Sequence, residues 1–171
     1  TIDGQNLNLD TLKGKPYLLT FWSTTCPGCV GEIPVLEDLD KKMQGTGFRI
    51  VAVAMPYDEL PEIRAMREQK GMTYTIAHDQ TGALSKQFEI RATPTSFLVT
   101  ADGKIAVQKM GEWKAAELEQ KVYAQYNEQF QSFAYVALLL MIFEFFVFVR
   151  KNKWFSKIRI CRCNWKSYWK F

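Results

Sequence analysis

Residues 17–34, YLLTFWSTTCPGCVGEIP, pass from an apolar run through a polar turn into a cysteine pair and a helical pattern. Tyr17 to Trp22 is a short apolar run rich in aromatics, bounded by Gly14-Lys15-Pro16 before it and Ser23-Thr24-Thr25 after it, which predicts a buried strand. Polar residues followed by Pro27 suit the opening of a helix, since proline is tolerated in the first turn. That helix is expected from about Cys26 to Met43. Val30, Ile33, Leu36 and Leu39 recur every three residues as one buried face, while Glu37, Asp38, Lys41 and Lys42 lie elsewhere. Pro34 interrupts the run and predicts a kink.

Outward from this unit the pattern alternates. Phe48 to Met55 (FRIVAVAM) predicts a second buried strand stopped by Pro56. Asp58 to Gly71 predicts an exposed amphipathic helix with Leu60, Ile63 and Met66 inward, closed by Gly71. A strand at Tyr74 to Ala77 and a short helix at Thr81 to Phe88 follow. Ser96 to Thr100 and Lys104 to Lys109 then form a hairpin around Ala101-Asp102-Gly103, and a last helix runs from near Trp113 through Leu118 and Val122 toward Tyr126. Strands alternating with helices predict an α/β domain with a central mixed sheet.

Cys26-Pro27-Gly28-Cys29 falls between a buried strand and a helix, the context in which CxxC reads as a redox pair. A separation of three within the first helical turn brings both sulfurs within disulfide reach. Cys26 faces unpaired backbone N–H groups and the positive end of the helix dipole, which favour a thiolate, so it is the expected attacking sulfur. Cys29, one turn in and shielded, is the expected resolving sulfur. Two other readings of the pair stay open. Structural zinc needs four ligands, against one histidine and no second CxxC in the domain; two inert buried cysteines are the other. Covalent haem is excluded, because Val30 follows Cys29 where histidine is required.

The run FWSTTCPGCVGEIP, together with Ala92-Thr93-Pro94-Thr95-Ser96-Phe97-Leu98-Val99 and Asp102-Gly103-Lys104, resembles the thioredoxin-fold proteins of the TlpA/ResA type, extracytoplasmic bacterial thiol-disulfide oxidoreductases. The resemblance covers roughly residues 1 to 126 and extends to Pro56–Gly82, which is similar to the extra helix and strand of that branch. It implies a substrate-facing surface made of Trp22, Pro27, Gly28, Thr93 and Pro94. Pro94 matches the family's cis-proline, and Thr93 would offer its backbone to an extended substrate chain. It implies protein disulfides as substrates, a membrane-bound or thioredoxin-type electron donor, and no cofactor beyond the Cys26–Cys29 disulfide itself. The chain also departs from the pattern. Thr20 stands where many thioredoxins place a buried aspartate, leaving Glu32 or water as the candidate for proton transfer, and Pro27-Gly28 reverses the Gly-Pro of thioredoxin.

A peroxiredoxin is the nearest enzyme alternative. Leu19 and Ser23 occupy the positions where its proline and threonine would stand, which argues against it. A thioredoxin-fold binding module with seldom-used cysteines is the alternative of another class, and disulfide oxidase or isomerase chemistry differs from reduction only in potential and partner. His78 reads as a surface or loop residue without a role.

The remainder differs in kind. The 171 residues carry 22 Lys+Arg and 18 Asp+Glu, a formal net charge of +4. Eight of the basic residues lie in 150–171, which holds no acid, and the stretch before residue 133 is net acidic. Phe133 to Val149 is apolar except for Glu144, and at 1.5 Å per residue it spans roughly 25 Å, a marginal membrane-spanning length. The expected organisation is a thioredoxin-like domain at 1–128, a hydrophobic helix at 129–149 and a basic aromatic tail at 150–171. Basic residues beyond the helix place the tail in the cytoplasm and the CxxC domain in the periplasm, if the helix spans. A buried terminal helix and a segment foreign to the domain are the competing readings. Arg159, Trp165, Lys166 and Trp169 mix basic and aromatic groups as nucleic-acid patches do; after an apolar stretch they read as lipid-facing, and no nucleic acid is expected. Cys161 and Cys163 form a CxC of little specificity, with reduced thiols as the default. No metal site is expected.

Overall fold

In the computed structural model, the backbone is described for residues 1–151 and side chains for 1–125 and 134–148. The chain divides into two units, Thr1–Asn127 and Glu128–Phe171.

The first unit is built on a five-stranded sheet. Its strands are β1 (Tyr17–Trp22), β2 (Arg49–Ala54), β3 (Thr75–His78), β4 (Thr95–Val99) and β5 (Ile105–Met110), in the order β3-β2-β1-β4-β5. β1 runs parallel to β2, and β2 to β3, whereas β4 lies antiparallel to both β1 and β5. β1 is therefore central, and all six of its residues are buried. That explains its continuous apolar run, because a strand covered on both faces has no polar alternation.

Alternation reappears as a choice between two cores. Leu18 and Trp22 face a cluster with Ile33, Leu36 and Leu39 of α1 (Pro27–Lys42) and Ile63 of α2 (Leu60–Lys70). Leu118 and Val122 of α4 (Ala115–Lys151) complete that side. Tyr17, Leu19 and Phe21 face the other cluster, where Leu84 of α3 (Ala83–Gln87) and Phe88 pack against them. There the rings of Phe21, Phe88 and Phe97 meet at centroid distances of 5.0 to 6.1 Å. Leu18, Leu19 and Phe21 are wholly withdrawn from solvent, and each contributes roughly 1.5–3 kcal/mol of apolar burial.

The elements follow the sequence expectations within a residue or two, with three corrections. Glu37 is not on the outer side of α1: it is buried, and its carboxylate accepts from the Thr73 backbone N–H (2.6 Å) and hydroxyl (3.0 Å), tying α1 to the start of β3. His78 ends β3 and is half-buried, rather than lying in a loop. The last helix does not stop near Tyr126; α4 continues to Lys151. In the second unit the side chains described from 134 to 148 are exposed, Leu139 and Phe146 to 65% and 69%.

No helix among the described residues is long and apolar enough to cross a membrane. Phe133 and Val149, the ends of the apolar run, and the tail side chains at 150–171 with Cys161 and Cys163, lie outside the described side chains.

Candidate active site

Cys26 is the N-cap of α1 and Pro27 its first residue. Extended backbone at Cys26 (φ −93°, ψ 109°) turns its side chain over the helix end, where the Cys29 backbone N–H donates to Sγ at 3.2 Å. A sulfur thus takes the capping role that serine or aspartate oxygen plays elsewhere, and the arrangement stabilises negative charge on it. Cys26 and Cys29 are joined in a disulfide, with Cα atoms 5.2 Å apart. Their surroundings differ. Cys26 is partly exposed at the rim, while Cys29 is 3% exposed and belongs to the core.

Two loops fix the rim. The Thr93–Pro94 peptide bond is cis, and the Thr93 carbonyl oxygen lies 3.5 Å from Cys26 Sγ. The Pro94 carbonyl accepts from the Gly111 N–H at 2.8 Å, which attaches the loop between β5 and α4 to the same corner. On the other side, Asp58 is buried and accepts from the hydroxyls of Ser23 and Thr24, both at 2.9 Å, and from the Thr24 N–H at 3.3 Å. The Ser23 carbonyl in turn accepts from the Cys26 N–H at 3.2 Å. Asp58 therefore clamps the segment that leads into the cysteine pair, a role no spacing in the sequence announces.

Behind Cys29 lies a cavity of about 10 Å³ lined by Cys29, Glu32, Thr20, Trp22, Tyr74 and Pro94 among others. That volume matches one water molecule. Glu32 is 2% exposed, and neither carboxylate oxygen has a hydrogen-bond partner at bonding geometry among the described residues. Burial pushes its carboxyl up to about 7; the nearby Trp113 backbone N–H and Lys109 oppose this, and the charge of Glu112 adds to it. Glu32 is therefore an interior group titrating near neutrality, not a solvated helix-surface glutamate. Burial likewise raises the Tyr74 phenol, which stays a hydroxyl. Thr20, in the place of the expected aspartate, spends its Oγ1 on a hydrogen bond from Ser96 at 2.9 Å. Trp22 is buried, and its indole N–H has no partner among the described residues.

The residues proposed from the sequence for disulfide chemistry fall within one corner: Cys26, Cys29, Pro27 and Gly28 at the start of α1, Trp22 at the end of β1, Thr93 and Pro94 before β4, and Glu32 one turn beyond Cys29. Among the described residues, no three His, Cys, Asp or Glu side chains converge as metal ligands. The larger surface grooves, of about 420 to 630 Å³, contain neither cysteine.

The Redoxin family model matches residues 1–125. The chain belongs to the Redoxin family. It is similar to the thiol-disulfide oxidoreductase ResA of Bacillus thuringiensis, with 30% identity over 118 residues covering 69% of this chain and 68% of that protein. Among solved structures, a thioredoxin-family thiol:disulfide interchange protein from Chlorobium tepidum superposes with a TM-score of 0.68 at 29% identity, covering 74% of this chain and 90% of the other. StoA from Bacillus subtilis superposes with a TM-score of 0.63 at 28% identity, covering 70% and 90%. Family, relatives and the cysteine pair together make this redoxin a ResA-like, thioredoxin-fold protein disulfide oxidoreductase.

Proposed function

We propose that this redoxin reduces disulfides of extracytoplasmic proteins. The asymmetry of the cysteine pair is the observation that carries the reading: Cys26 is accessible and capped by an N–H, and Cys29 is enclosed beside Glu32. The Cys26 thiolate attacks a substrate disulfide, forming a mixed disulfide and releasing one substrate thiolate, which takes a proton from solvent. Cys29 then loses its proton to Glu32, directly or through one water in the cavity, and attacks Cys26 Sγ. The second substrate thiolate leaves and is protonated, while the protein's dithiol has become a disulfide. Two electrons pass to the substrate, and a dithiol donor, membrane-bound or thioredoxin-like, must return them.

The cis Thr93–Pro94 corner supports the binding of an extended polypeptide beside Cys26. The likeness to ResA supports a location outside the cytoplasm. The exposed apolar side chains from Tyr135 to Phe148 support contact between the C-terminal unit and membrane lipid. Cytochrome c maturation and envelope redox homeostasis are the processes in which such a reductase would act. The test is reduction of insulin disulfides by the pre-reduced protein: Cys26→Ser abolishes it, and unchanged activity in that variant overturns the assignment.

A further inference from the structure

Gly28 and Gly31 stand three residues apart in the first turn of α1 and leave its outer side bare. The carboxylate of Glu112 fills that notch. A Cβ placed on Gly28 would lie 2.6 Å from Glu112 Oε1 and 3.2 Å from its Cγ, and one placed on Gly31 would lie 4.0 Å from Oε2. No side chain at position 28 could coexist with Glu112 in this position. The glutamate is nonetheless exposed, and it is fixed from behind, because Gly111 (φ +95°) hydrogen-bonds to the Pro94 carbonyl and Trp113 is buried. Its backbone is therefore held by the corner that contacts Cys26, while its charge remains at the surface.

That charge is not neutralised nearby. Among the described residues Glu112 makes no ion pair, and the adjacent Lys109 is committed to Glu117 and to the face of the Trp113 ring, 4.4 Å from its centroid. Arg91 lines two surface grooves beside Glu89, neither of which contains a cysteine. Glu32 and Asp58, the other acids of this corner, are buried and cannot meet a substrate side chain.

We propose that Glu112 is a specificity-determining residue, selecting polypeptide disulfides flanked by lysine or arginine. The proposal rests on the reading of Cys26 as the attacking sulfur. A substrate cystine at Cys26 must bring its neighbouring side chains over the start of α1, where a fixed carboxylate attracts cations and repels anions. One such pair at about 6–8 Å in a wet, exposed site corresponds to roughly a two- to threefold effect on rate, in opposite directions for a cation and an anion.

The experiment uses the full chain, pre-reduced, in single turnover against two synthetic peptides. Each peptide holds one intramolecular disulfide, flanked in one by lysines and in the other by glutamates. For the unaltered protein the lysine peptide reacts faster. Glu112→Gln lowers the lysine-to-glutamate rate ratio about three- to tenfold, Glu112→Lys lowers it further, and 1 M salt removes most of the difference between the proteins. A ratio unmoved by either substitution overturns the proposal, as does an equal change in both rates, which would mean that Glu112 acts only on the thiol. If neither peptide oxidises the unaltered dithiol, it is the oxidoreductase reading that fails.

Discussion

Cys26 and Cys29 are three residues apart, yet they occupy two different media. Loops make up the Cys26 side: Ser23-Thr24-Thr25 held by Asp58, and Thr93-Pro94 joined to Gly111. Core makes up the Cys29 side, with Trp22, Ile33 and Tyr74 around a water-sized cavity and a carboxylate, that of Glu32, without a hydrogen-bond partner among the described residues. A thiolate is stabilised on the first side by backbone N–H groups, and on the second it must be generated by moving a proton to a neighbour. The difference shows how a pair of identical side chains acquires two roles from the helix end alone, since one residue caps the helix and the other lies inside it.

The strongest way to break this contrast is to remove each sulfur in turn. Cys26→Ser is expected to reduce insulin turnover to the uncatalysed rate, whereas Cys29→Ser keeps the first attack and stalls at the mixed disulfide.

Glu32→Gln sharpens the Cys29 side. With its folded pKa near 7 and an unfolded value of 4.5, Glu32 keeps its proton in the folded chain over a range where the unfolded chain has lost it. The folded state therefore loses stability as pH rises from about 4.5 through 7, by roughly 3 kcal/mol in total. Glu32→Gln should be the more stable protein at pH 8 by up to that amount and show little difference at pH 4, as measured by denaturant unfolding. The same substitution should slow resolution and flatten its dependence on pH near 7, read by stopped-flow decay of the mixed disulfide. Equal pH profiles in the two proteins would show that Glu32 does not take the proton.

The Cys26 side is probed by its clamp. Asp58→Ala leaves the Ser23 and Thr24 donors without their acceptor, at a cost of about 2 kcal/mol in unfolding free energy, and slows the first attack more than the resolving step. The smallest effect belongs to Glu89, four residues before Thr93, which holds a left-handed backbone (φ 51°) suited to glycine. Glu89→Gly is expected to stabilise by roughly 0.5–1 kcal/mol, measured as a rise in thermal midpoint.

Much of this corner is readable from order along the chain. A continuous apolar strand, a turn with CPGC and a helix of period three place Cys26, Cys29, Pro27 and Gly28 without knowledge of the rest. Thr93 and Pro94 were legible through family resemblance, because a lone proline before a strand says nothing of what it faces. Glu32 could be listed but not placed, since burial of one turn of α1 against Trp22 and Tyr74 is a tertiary fact. Asp58 and Glu112 were silent for the same reason: each acts across the sheet corner on residues 34 or more positions away, and local pattern carries no such distance. The paired glycines at 28 and 31 were the one available sign that something approaches α1. Likewise, the length of α4 is not legible from the sequence, because its composition changes sharply beyond Tyr126 while its helical backbone continues.

Whether Cys26 attacks and Cys29 resolves is read by mapping the disulfide trapped when each single serine variant is mixed with an oxidised protein substrate. Cys29→Ser should accumulate a stable adduct through Cys26, and Cys26→Ser should form none on the same timescale. An adduct through Cys29 in the Cys26→Ser protein at a comparable rate would contradict the account.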